Sequence, residues 1–133
     1  MRTSGDVPRQ EEVQVEMAFH RSELEPFRCE VAPHRDEVLV RPVGELDLAT
    51  VPMVDEQLAE LSSSGFTRLV LDLRGVRFLD STGLRMLLAW HGRSTNDGVA
   101  FSVIPGPPVV QRVLEIAGVD GRLTYAPEDH RRA

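Results

Sequence analysis

The side chains best placed for chemistry stand together in Phe78-Leu79-Asp80-Ser81-Thr82-Gly83-Leu84, a carboxylate and two hydroxyls closing an apolar run. Leu69 to Leu73, just upstream, read as a buried strand, and the residues after Ser81 carry helical periodicity. A hydroxyl at such a junction suits two roles. It can cap the helix by accepting a backbone N–H. It can also accept a phosphate, which the helix dipole and free N–H groups would favour, with Gly83 permitting close approach. The local pattern leaves both open.

Other chemistries fall away. A nucleophile elbow needs glycine two residues before the serine, where this chain has Leu79. Of His20, His34, His91 and His130, only His91 lies in a regular element of the core domain, a full helix length from Ser81, so no catalytic triad is expected. No histidine pair has i, i+4 spacing, and Cys29 is the single cysteine, so neither a metal site nor an internal disulfide is expected. Asp47, Asp72 and Asp80 could gather at strand ends as in a receiver's acidic pocket. That pocket needs an acid pair directly after the first strand and a late lysine, and neither is present. All fifteen basic residues are arginine, which removes P-loop and Schiff-base chemistry, and no glycine-rich loop precedes a helix. No cofactor is expected.

The 133 residues suit one domain, and 41% hydrophobic with 27% charged residues is ordinary for a globular one. A formal net charge of -6 argues against nucleic acid as a direct partner. No apolar run approaches a membrane span and no signal-peptide core is visible, so a cytoplasmic protein without a membrane partner is expected.

These residues need elements to position them. Residues 1–26 read as an N-terminal extension, partly disordered, residues 27–126 as the domain, and residues 127–133 as a flexible tail. Phe27 to Val31 and Glu37 to Val43 alternate as a hairpin about a turn at Pro33 to Asp36. Gly44-Glu45-Leu46-Asp47 leaves the second strand as a loop. Thr50 caps a helix with Pro52 in its first turn and an apolar stripe at Val51, Val54, Leu58 and Leu61. A second helix starts at Ser81 or Thr82, turns Leu84, Leu87 and Leu88 inward, and stops at Thr95 to Gly98. Met86 and Trp90 share a face offset from that stripe, either packed inside or exposed as a docking anchor. Arg85, one turn in, can reach a partner or a phosphate. Val99 to Ile104 is a strand, Pro107 and Pro108 open a third helix ended by Gly118, and Leu123 to Tyr125 is a short last strand. Such alternation predicts an α/β fold with a mixed, mostly parallel sheet of four to five strands and three to four helices.

From Gly44 onward the chain resembles the STAS-domain family of anti-sigma factor antagonists. The matching pieces are Gly44-Glu45-Leu46-Asp47, the strand Leu69-Val-Leu-Asp-Leu, and Phe78-Leu-Asp-Ser-Thr-Gly-Leu84, with a weaker match at Pro107-x-x-Val-x-Arg-Val-Leu-x-x-x-Gly118-Val119. The resemblance covers roughly residues 27–126 and implies the STAS fold and a non-catalytic role. It implies that the unphosphorylated chain binds an anti-sigma factor that is also a serine kinase, and so releases a sigma factor. That kinase would phosphorylate Ser81, and a phosphatase would reset the system. Asp47 matches a position near the serine that contributes to kinase binding, and Thr82 a neighbouring hydroxyl. The implied partner surface comprises Asp47, Asp80, Ser81, Thr82, Gly83, Arg85 and Met86. The alternatives are a STAS scaffold or accessory domain of a signalling assembly or transporter, and, more remotely, a ligand-binding domain.

Overall fold

Strands β1 (Arg28–His34) and β2 (Glu37–Leu46) form the expected antiparallel hairpin. The computed structural model describes residues 26–127, so the expected extension and tail, at residues 1–25 and 128–133, lie outside the described residues. Val38, Val40 and Leu46 of β2 are fully buried, while Leu39, Arg41, Val43 and Glu45 between them are half-buried. This is the period-two pattern of a strand with one core face.

β2 is longer than the sequence suggests. Gly44 to Leu46 continue the strand rather than forming a loop, because they find a pairing partner that local sequence does not reveal. The first half of β2 pairs in parallel with β3 (Arg68–Asp72), which pairs in parallel with β5 (Ala100–Ile104). One turn of 3-10 helix, Leu73–Gly75, follows β3, and the chain then enters β4 (Val76–Leu79), parallel to the end of β2. The five-stranded sheet has the order β1-β2-β3-β5, with β4 beside the end of β2.

The β2–β4 pairing contains a bulge. Its register passes from Gly44 opposite Val76 to Glu45 opposite Phe78, leaving Arg77 as the extra residue. Gly44 has φ 125°, a value that only glycine adopts without strain. The bulge sends Phe78 outward and returns Leu79 to the core.

Helices α1 (Val51–Ser63), α2 (Ser81–Asp97) and α3 (Pro108–Ile116) pack on this framework. The main core joins Val54 and Leu58 of α1, Leu87 and Trp90 of α2, and Val110 and Leu114 of α3 to the inward residues of the sheet. Within β3, Leu69 and Leu71 face that core while Val70 joins Ile104 and Ala126 in a smaller cluster. Apolar demand on both faces explains the nearly continuous run in β3.

Two expectations need correction. The inward face of α2 is Gly83, Met86, Leu87 and Trp90, with Leu84 and Leu88 only half-buried at its sides. Trp90 decides this rotation: its Nε1 donates to Asp55 Oδ1 of α1 at 2.7 Å, its ring meets Phe101, and Arg93 lies over its outer side. Burying an indole with its N–H satisfied outweighs a stripe of leucines. The expected strand at Leu123 to Tyr125 is reduced to a single parallel bridge between Val103 and Tyr125.

Candidate functional site

Strands β2 and β4 end side by side, with Leu46 opposite Leu79. One residue further, the Asp80 N–H donates to the Leu46 carbonyl at 3.2 Å. Asp47 and Asp80 therefore leave the carboxyl ends of neighbouring parallel strands together, where open α/β sheets present their functional loops.

Each carboxylate organises its own turn. Asp47 Oδ1 accepts from the N–H groups of Ala49 and Thr50 at 3.0 and 3.1 Å. Thr50 stands at the cap position of α1, but its hydroxyl makes no capping bond. It turns back instead, accepting from the Asp47 N–H at 3.0 Å and donating to the Glu45 carbonyl at 2.5 Å. Asp80 caps α2: its Oδ1 accepts from the N–H groups of Thr82 and Gly83 at 2.9 and 3.2 Å, and its carbonyl from Leu84 at 3.1 Å. The Oδ2 atoms of both aspartates accept no hydrogen bond among the described residues.

Ser81 is therefore the first residue of α2 and not its cap. It is exposed, and its hydroxyl makes no hydrogen bond among the described residues. The N–H groups of Thr82, Gly83 and Leu84, which a phosphate was expected to meet, are already held by Asp80. Ser81 has no internal base, since His91 lies ten residues along the same helix, about 15 Å by helical rise. Its hydroxyl is open to a reagent from outside and unequipped to catalyse by itself.

The other expected site residues divide. Thr82 is half-buried and Arg85 exposed, so both border Ser81 on the surface. Gly83 and Met86 face inward, contrary to the expectation that they contact a partner. A Cβ on Gly83 would collide with the Leu79 side chain and come within 3.3 Å of the Leu46 carbonyl oxygen. This glycine seats α2 on the strand ends and has no surface for a phosphate to approach. Met86 is 5% exposed, packed beside Trp90 in the core.

Asp72 does not join Asp47 and Asp80. It lies fully buried at the end of β3, bonded to Arg41 at 2.7 Å and to Arg74 at 2.9 Å. Burial pushes its carboxyl up, but hydrogen bonds from Arg74 and Arg41 prevail and hold it below the ordinary range. Burial pushes the Cys29 thiol up, with help from Glu30, which makes it a poor nucleophile. Among the described residues no three His, Cys, Asp or Glu side chains are grouped to hold a metal ion. None of the described helices is long and apolar enough to cross a membrane.

Two apolar neighbours went unnoticed in the sequence. Leu48, next to Asp47, is 75% exposed, and Phe78, two residues before Asp80, is 48% exposed. Only the bulge at Arg77 exposes Phe78, and strand alternation alone does not foretell it.

Three comparisons bear on this arrangement. Residues 29–125 match a family profile described as "Mlab, STAS domain". The chain is 33% identical over 90 residues to the anti-sigma-F factor antagonist RsfB of Mycobacterium tuberculosis, covering 68% of this chain and 73% of that protein. It also superposes on the crystal structure of an anti-sigma factor antagonist from Mycobacterium paratuberculosis with TM-score 0.68 and 26% identity, covering 80% of this chain and 91% of the other.

Proposed function

Because this chain belongs to the STAS-domain family of anti-sigma factor antagonists, we propose that it is a cytoplasmic binding module that engages a kinase-type anti-sigma factor and is switched off by phosphorylation of Ser81. The unmodified chain docks through the start of α2 and the Asp47 turn, and its docking frees a sigma factor. The observation that carries this reading is the state of Ser81: an exposed, unbonded hydroxyl held beside two carboxylates by the Asp80–Leu46 hydrogen bond.

In the group transfer, Ser81 Oγ bonds to the γ-phosphorus of a nucleoside triphosphate held by the partner. The bond to the nucleoside diphosphate breaks, and the hydroxyl proton passes to a base of the partner. Asp80 pins the helix start so that the hydroxyl is presented in one geometry. The product adds about 1.5 to 2 negative charges next to Asp80 and Asp47. At ~6 Å and an effective dielectric of ~20, each pair of unit charges repels by roughly 3 kcal/mol before screening. A folded surface tolerates that in water. A docked interface, which must strip the water away, does not. A phosphatase that removes the phosphate restores binding.

An exposed acceptor hydroxyl favours this reading over a ligand-binding role, which has no need of one. The test is to incubate the protein with candidate anti-sigma kinases and ATP, and map phosphate by mass spectrometry with Ser81→Ala as control. Label on Ser81 that disappears in the variant supports the switch. Label elsewhere, or unaffected by the substitution, overturns it.

A further inference from the structure

We infer that Arg85 is the internal counter-ion of the modified site, closing on a phosphate at Ser81 across one turn of α2; this rests on the reading of Ser81 as a phosphoacceptor. Ser81 and Arg85 are both exposed and four residues apart on one helix, so their Cβ atoms are neighbours at about 6 Å. The backbone offers the phosphate little, because Asp80 already holds the N–H groups of Thr82, Gly83 and Leu84. The charged side chains around the helix start are Asp47, Asp80, Arg77 and Arg85. Both aspartates repel the phosphate, and Arg77 is engaged in another interaction. Arg85 forms no hydrogen bond or ion pair with any described residue. Its guanidinium can meet two phosphate oxygens at once, and the ion pair needs no movement of the fold.

The pair gives one phosphate two effects. It adds negative charge to the docking surface, and it withdraws a cation that the unmodified surface presents to a partner. The modified state thereby differs from a glutamate substitution, whose shorter carboxylate reaches Arg85 less completely.

Phosphoserine encoded at position 81 makes the test independent of any kinase. Phosphorus NMR then follows the second ionisation of the phosphate in the otherwise wild-type chain, in Arg85→Gln and in Arg112→Gln, a remote arginine on α3. The expected result is a second pKa about 0.3 unit or more lower with Arg85 present than in Arg85→Gln. Arg112→Gln should match wild type, and the difference should collapse in ~1 M salt. Identical titration of wild type and Arg85→Gln overturns the ion pair, as does an equal shift in Arg112→Gln, which would reflect net charge alone. Neither result bears on whether a kinase modifies Ser81, which the labelling experiment decides separately.

Discussion

The Asp80 N–H donates to the Leu46 carbonyl at 3.2 Å, and this one bond ties the acidic turn after β2 to the start of α2. It converts two distant motifs, Gly44 to Asp47 and Asp80 to Leu84, into one surface. Gly83 completes the joint by letting the helix backbone settle against Leu79 and Leu46. The joint is what places an unbonded serine hydroxyl where a partner can reach it, and it makes the following outcomes measurable.

Gly83→Ala should destabilise the fold by about 1 to 2 kcal/mol. Overpacking against Leu79 and Leu46 costs about 1 to 3 kcal/mol, which exceeds the gain of up to about 1 kcal/mol from replacing a helical glycine. Urea unfolding with an unchanged m-value would show it, and a stabilised variant would mean that the joint yields.

Capping separates Asp80 from Ser81. Asp80→Ala should lose about 1 kcal/mol, with Asp80→Asn recovering most of it. Ser81→Ala should stay within about 0.5 kcal/mol of wild type, since its hydroxyl bonds to nothing described. A large loss in Ser81→Ala would show that the serine, too, holds the helix start.

Charge at Ser81 should break the complex. Ser81→Glu is expected to weaken binding to the cognate anti-sigma factor at least tenfold, about 1.4 kcal/mol, with unchanged stability. Thr82→Glu should do less, because Thr82 is turned partly into the protein. Titration calorimetry with both variants decides between them, and equal affinity for wild type and Ser81→Glu would remove charge as the switch.

Acid should weaken the fold through Asp72. Its carboxyl is held below the ordinary 3.8 in the folded chain, so the stability it contributes is complete above that value. It is lost as pH falls through the lower folded value, because the unfolded chain then binds the proton first. Asp72→Asn should cost about 3 kcal/mol or more at neutral pH, by leaving Arg41 and Arg74 without a buried anion. It should also flatten the acid limb in urea midpoints measured from about pH 5 to about pH 2.

Trp90, the only tryptophan, is 2% exposed, so its emission should be blue-shifted and resist iodide quenching with or without a partner bound. Trp90→Ala should cost about 3 to 5 kcal/mol. Any loss of binding in that variant would report unfolding, since the side chain does not reach the docking surface.

Much of this molecule is legible before folding. The hairpin, the strand–helix alternation, the glycine and proline stops and the acid–hydroxyl turn all follow from local periodicity and turn chemistry, which neighbouring residues determine by themselves. Asp47 and Ser81 were also named from motif, and both stand at the surface. The errors share a cause. Gly44 to Leu46 resembled a loop because β4, their pairing partner, is more than thirty residues away. Gly83 and Met86 looked available to a partner because the rotation of α2 depends on Trp90 finding Asp55 on another helix. Phe78 looked inward because no local rule announces the bulge at Arg77. By itself the sequence determined which groups are present and the order in which elements carry them. Only the tertiary structure decided that Asp47 lies beside Asp80, that Asp80 and not Ser81 caps the helix, and that the serine hydroxyl is left free. Those outcomes rest on register and packing between segments far apart in the chain, and nearest neighbours carry no record of them.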